Sequence, residues 1–236
     1  MLATGSNRLT AQELSIRIFS DGFSFSTPQR TKEVKAKTGQ SLLQALEQAF
    51  TEQALLRPDY DEVNVYADYP STRIPLDEFR SEEAQALYCL TFGNDSLTGM
   101  NMHYEMLPAL ETIEVFVIDA EIEALILKYY PHATLHCYFG QLMNRMLAYD
   151  KRQNNDVARL YAHNNGRQLF VFNYKGGRLQ FANSFEADNL SNQTYFLLYA
   201  WKQLGLQQRK DECVLIGKDK VFEAELKRYL KNVVCV

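Results

Sequence analysis

Few residues in this chain are of types that do chemistry, and most of them lack partners in sequence. His132, His136 and Cys137 are zinc-ligand types, but a zinc site needs a second pair to complete its tetrahedron. No such pair follows downstream, and His132 stands behind Pro131 at an expected helix end. All three read as surface or satisfied core residues. His163 has no Ser or Cys in view to activate, and an expected place in a turn accounts for it. The chain has no G-x-S-x-G, no P-loop and no G-x-G-x-x-G. The acids Asp77, Glu78, Glu82 and Glu83 read as a solvated helix face. Cys89, Cys137, Cys213 and Cys235 are irregularly spaced with no C-x-x-C pair, as expected for reduced thiols in apolar settings. What remains are turn residues. Asp21-Gly22 and Asn165-Gly166 are hairpin signals, the first read as a type I′ turn in which Gly accepts positive φ and the second as a plain hairpin turn. Gly217 ends the apolar run Cys213 to Ile216.

These residues can act only where a fold positions them. The chain has 236 residues, enough for one large domain or two lobes, and its 46% hydrophobic content supports a substantial core. The 14 Tyr and 14 Phe favour packed β structure over disorder. A net charge of -4, without a run of clustered Lys and Arg, argues against nucleic-acid binding. Met1 to Arg8 lacks an apolar signal core, and no segment approaches a bilayer-spanning length. The expected location is cytoplasmic.

Leu14, Ile16 and Ile18 alternate with polar residues, Asp21-Gly22 turns the chain, and Phe23 and Phe25 continue the alternation. Val34 and Ala36 mark a third strand. Ser41 then opens a helix, with Gln44 completing a capping box and Leu42, Leu43, Leu46 and Phe50 as its apolar stripe. The same strand–strand–strand–helix unit returns at Val157 to Ala162, Leu169 to Phe172, Leu179 to Phe185 and Asn189 to Leu204, with Gly205 as the stop. Strands are expected at Val63 and Val65, Val115 to Ile118, Thr134 to Cys137, Cys213 to Ile216 and Val233 to Val236. Helices are expected from Asp119, from Phe139 to Tyr149 and around Phe222 to Leu230. Asp68 to Leu110, with Pro70, Pro75 and Pro108, is the least regular stretch and holds a short helix after Ser81. This is an internal duplication at the level of structure. It predicts mixed α/β sheets in two lobes, 1–150 with an insertion at about 68–110, and 151–236, divided at the polar, helix-poor segment 151–156. The default binding site of such an architecture is the cleft between its lobes.

The order of these elements resembles the actin-like ATPase superfamily, which is built from two ribonuclease-H-like lobes. The stretch from Val157 through Phe172, followed by Gly176-Gly177-Arg178-Leu179, looks like the start of that family's second lobe. Val214-Leu-Ile-Gly217 looks like its adenosine-side strand. More narrowly, the chain resembles a Bacteroidetes domain family of unknown function with this fold. That likeness rests on Leu14-Ser-Ile-Arg-Ile with Asp21-Gly22-Phe23-Ser24-Phe25, on Ile74-Pro75-Leu76 with Phe79, and on Leu179-Gln-Phe-Ala-Asn183-Ser-Phe185 before Tyr195-Phe-Leu-Leu.

The superfamily resemblance implies a test. An ATPase of this kind needs a carboxylate for magnesium-bound water and small-residue loops whose amides cradle phosphate. The matching turns are Ser20-Asp21-Gly22-Phe23 and His163-Asn164-Asn165-Gly166. The first has one acid and one glycine, but Phe23 resumes the strand at once and no Lys follows nearby. The second has no carboxylate. The outward positions of the two first strands, Ser15 and Arg17, then Arg159 and Tyr161, carry no acid pair to hold the two metals of nuclease chemistry. The expectation is therefore a non-catalytic scaffold or interaction protein with no catalytic or metal residue, an unknown protein partner and a monomeric or weakly dimeric state. Val233 to Val236 is read as an internal strand and, alternatively, as a pairing edge between copies. The alternative function is an ATP-binding switch or weak ATPase, with Asp21, Gly22, Asn165, Gly166 and Gly217 lining the cleft.

Overall fold

The computed structural model describes residues 12–56, 59–153 and 155–236; the polar start at Met1 to Arg8 lies outside them. The chain divides into two compact units, one ending at Gln141 and the other beginning at Leu142.

In the first unit the alternation at Leu14, Ile16 and Ile18 makes β1 (Glu13–Phe19), with all three residues fully buried. It turns into β2 (Gly22–Ser26) and β3 (Thr31–Lys35), both antiparallel. Helix α1 (Leu42–Glu52) follows. The Ser41 hydroxyl accepts from the Gln44 N–H at 3.1 Å, and the Gln44 side chain accepts from the Ser41 N–H at 3.1 Å. This reciprocal pair satisfies two otherwise orphaned donors. The helix buries Ala45, Leu46, Ala49 and Phe50. β4 (Glu62–Ala67) then pairs parallel with β1, Leu14 opposite Val63.

The stretch after Asp68 is more regular than its prolines suggest. β5 (Ser71–Pro75), α2 (Ala84–Phe92), β6 (Met100–Leu107) and β7 (Thr112–Asp119) form a separate sheet of order β5-β7-β6, all antiparallel, with α2 packed over Ile74, Ile113, Val115 and Val117. β6 went unread in the sequence. Its residues, Met-Asn-Met-His-Tyr-Glu-Met-Leu, include no β-branched side chain, the type that favours pleated surfaces. Asp119 caps α3 (Ala120–Tyr129) by accepting from the Glu121 and Ile122 N–H groups. The Tyr129 ring stacks on Phe50 with centroids 4.1 Å apart, fixing α3 beside α1. β8 (Thr134–Cys137) completes the first sheet by pairing parallel with β4. α4 (Tyr138–Arg152) follows directly, so Lys151 and Arg152, read as helix-poor, are helical.

In the second unit β9 (Arg159–Asn164), β10 (Gln168–Lys175) and β11 (Arg178–Glu186) repeat the antiparallel start. β10 is a continuous buried run, as a strand covered on both faces must be. α5 (Leu190–Gln203) starts at Asn189, whose side chain accepts from the Asn192 N–H, and stops at Gly205 with φ of 66°. Leu197, Ala200 and Trp201 bury its inner face. β12 (Glu212–Leu215), α6 (Lys220–Leu226) and β13 (Asn232–Cys235) complete the unit, with β12 parallel to both β9 and β13. The C-terminal strand is thus paired inside its own sheet.

The two five-stranded sheets have the orders β3-β2-β1-β4-β8 and β11-β10-β9-β12-β13. Position by position this is one topology twice: third, second, first, fourth, fifth.

Candidate functional site

The first expected site turn, at Asp21 and Gly22, joins β1 to β2. Phe19 pairs with Gly22, so only Ser20 and Asp21 lie outside the ladder. Neither Asp21 nor Gly22 has positive φ, which rules out the expected type I′ turn. Gly22 is needed for another reason. A Cβ there would stand 2.3 Å from the Val34 carbonyl oxygen, because β3 passes directly against it. The sheet also supplies a lysine where none was expected. Lys35 pairs with Gly22 across the ladder, and its Nζ lies 3.4 Å from Asp21 Oδ2. The Asp21 carbonyl accepts from the Ala36 N–H at 2.9 Å.

The second turn, after β9, does use glycine at positive φ, with Gly166 at 93°. Its amides point at its own side chains. The Gly166 N–H donates to Asn164 Oδ1 at 2.9 Å, while the Arg167 and Gln168 N–H groups donate to Asn165 Oδ1 at 3.1 and 2.8 Å. Asparagine closes such turns because its short amide reaches the backbone two residues on. His163 was expected in the turn but belongs to β9, where its Nδ1 lies 2.9 Å from the Ile216 carbonyl oxygen.

The fold brings Gly217 to this turn. It follows β12 at φ of 100°, and its N–H donates to the Val236 carbonyl at 3.0 Å. Two residues on, Asp219 accepts from Asn164 Nδ2 at 3.0 Å and from the Phe222 N–H at 3.0 Å, capping α6. The second turn therefore has a carboxylate nearby, supplied by tertiary structure. An Asp three residues before Phe222, at a helix start, was its only signal in sequence. Asn165, Gly166 and Gly217 share one end of the second unit; Asp21 and Gly22 belong to the first.

The first strands of both sheets carry arginines that the fold fully engages. In the first unit Arg17 Nη2 lies 2.5 Å from Asp68 Oδ2, and the guanidinium sits 3.7 Å from the Tyr138 ring centroid. In the second unit Arg159 is buried and donates to Glu212 at 2.9 Å and to Asn155 at 2.6 Å. The neighbouring Tyr161 is fully buried, stacks on Phe172 at 5.3 Å and donates to Asp150 at 2.6 Å. Burial first, then the Asp150 carboxylate, push its phenol well above the ordinary value. Cations and an aromatic cluster occupy the strand face where metal chemistry would require acids.

A polar cluster missed in sequence lies within the first unit. Glu105 and Glu114 are cross-strand partners on β6 and β7. Glu105 takes His136 Nδ1 at 2.5 Å, the Cys137 N–H at 2.9 Å and Gln141 Nε2 at 2.7 Å. His136 Nε2 meets Asn64 Oδ1 at 3.0 Å. Glu114 is completely buried and pairs with Arg73. Glu105 thus joins the small sheet to β8 and the start of α4, whereas Glu114 is held chiefly within the small sheet by Arg73 and Ser71. Burial, then Glu114, push the Cys137 thiol up to about 12, which makes it unreactive. Cys235 is exposed, not apolar in setting as expected. Among the described residues no cluster of three His, Cys, Asp or Glu is arranged to hold a metal, and no helix is long and apolar enough to cross a membrane.

Comparison with solved structures identifies the class. A Bacteroides thetaiotaomicron VPI-5482 protein, described as having an actin-like ATPase fold and unknown function, superposes with a TM-score of 0.81 at 27% identity, over 95% of this chain and 90% of that one. A chain of the PilM–PilN type IV pilus biogenesis complex superposes with a TM-score of 0.56 at 11% identity, over 95% of this chain and 88% of that one. The chain has the actin-like ATPase fold, in which each lobe is one copy of the ribonuclease-H-like topology. Residues 5–233 match the family described as Protein of unknown function (DUF3822), and the chain belongs to that family. No curated protein matches it.

Proposed function

We propose that this protein is a non-catalytic member of the actin-like fold, two ribonuclease-H-like lobes used as an interaction scaffold. In this reading Asp21, Gly22, Asn165, Gly166 and Gly217 are what is left of nucleotide-binding loops. One observation carries it: the amides of the second turn are already bonded to Asn164 and Asn165. A phosphate would have to displace all three bonds, each contributing about 1 kcal/mol net. The two-residue turn at Ser20 and Asp21 supports it further, since a paired ladder reaches both sides of the turn. The PilM–PilN complex gives an instance of this fold bound to a protein partner.

Calorimetric titration with ATP and magnesium tests the proposal. The expected result is no heat of binding at micromolar concentrations and no rise in melting temperature. Micromolar binding that Asp21→Ala weakens would establish the alternative, an ATP-binding switch. The observation favouring that alternative is Lys35, a cation 3.4 Å from Asp21.

A further inference from the structure

A sheet edge presents unpaired N–H and C=O groups, and natural edges carry charges, prolines, bulges or short strands that discourage foreign pairing. Most edges here are protected in this way. β3 carries Lys32, Glu33 and Lys35; β5 ends in Pro75; β8 and β13 are four residues long; β11 borders a register irregularity at Asn173/Tyr174. β6 differs. It is eight residues long and contains no Lys, Arg, Pro or Gly, and its one acid, Glu105, is held by His136, the Cys137 N–H and Gln141. It pairs with β7 alone, and among the described residues its backbone makes no other hydrogen bond.

A cavity of about 520 Å³ runs against this edge, lined by Gln85, Leu97, Met100, Asn101, Met102 and His103. Tyr104 and Met106 continue the same strand and are 55% and 59% exposed. Large apolar side chains so placed beside an open backbone edge fit a partner strand. The segment that carries and flanks this strand is predominantly acidic. Between Pro75 and Asp119 the exposed ionic residues are Asp77, Glu78, Glu82, Glu83, Asp95 and Glu111, against Arg80 alone. A second copy of this chain would bring the same carboxylates against themselves, because a twofold contact repeats one surface on both sides. A basic segment would meet its complement.

We propose that β6 takes up an extended segment of a partner protein as an added strand. That segment is net basic, with apolar side chains at every second position to enter the groove along Met100 and Met102. The proposal rests on reading the chain as an interaction protein, but the two can fail separately: ATP titration does not report on β6, and strand addition needs no nucleotide.

The test is fluorescence anisotropy on the full chain, using a labelled synthetic peptide of alternating lysine and valine. Saturable binding is expected. It should weaken at least about tenfold when alternate peptide nitrogens are methylated, when glutamate replaces lysine, and in Tyr104→Lys. Tyr104→Lys changes an exposed side chain, and an unchanged thermal midpoint establishes that it folds. Hydrogen exchange should slow on β6 when the peptide is present. Absence of binding, or equal binding of the methylated peptide, overturns the proposal. So does concentration-dependent self-association that Tyr104→Lys abolishes, which would make a second copy the occupant.

Discussion

At the scale of single residues, two hairpin glycines illustrate different constraints. Gly166 is needed for its positive φ and has open space around it, whereas Gly22 is needed for space. Gly166→Ala should cost about 1 kcal/mol, the strain of a left-handed residue. Gly22→Ala must move the Val34 backbone and should cost about 2–3 kcal/mol, near the upper range for overpacking. Urea denaturation of the two variants checks the order; equal losses would contradict it. Glu114 makes a pH prediction. Burial pushes its carboxyl up from 4.5, outweighing Arg73 and Ser71, which act the other way. The folded protein then holds this proton to higher pH than the unfolded chain, so the associated stability is complete below about 4.5 and falls as pH rises through the raised native value. Glu114→Gln should flatten that part of the stability–pH curve. Arg73→Ala should deepen the fall, by about 3–5 kcal/mol at neutral pH, as expected when one partner of a buried pair is removed.

At the scale of elements, the caps were legible because they are local. Ser41 with Gln44 and Asp119 occupy the expected cap positions, and Asn189, expected as the first residue of its helix, caps α5. Ser41→Ala should lower stability by about 1 kcal/mol. Asp219→Ala should cost about 1–2 kcal/mol, because the same carboxylate caps α6 and holds Asn164; chemical denaturation measures both. β6 was missed although Met100, Met102, Tyr104 and Met106 alternate with Asn101, His103 and Glu105; the lack of β-branched residues and its place in a proline-bearing stretch masked that period. His163 was misplaced by one element for a related reason: Asn165-Gly166 marked the turn, but the ladder continues through Asn164 opposite Leu169.

At the scale of the whole molecule, each main sheet depends on parallel pairings between distant segments, Leu14 with Val63 and Leu160 with Cys213. Deleting residues 231–236 would remove β13 and open the β12 edge, where Cys213, Val214 and Leu215 are buried. The shortened chain should unfold at a lower temperature and associate, which calorimetry and light scattering would reveal; unchanged melting and scattering would show that β13 is dispensable. The hydrophobic periods, turn dipeptides and caps were enough to determine the repeated module and its kinship, because these are properties of adjacent residues. Tertiary structure alone decided that Lys35 approaches Asp21, that Asp219 joins the second turn, that Glu105 and Glu114 gather His136 and Arg73, and that β6 is left as an open edge. Those facts depend on strand register and on contacts between residues far apart in the chain, and a linear order of side chains leaves such separations unspecified.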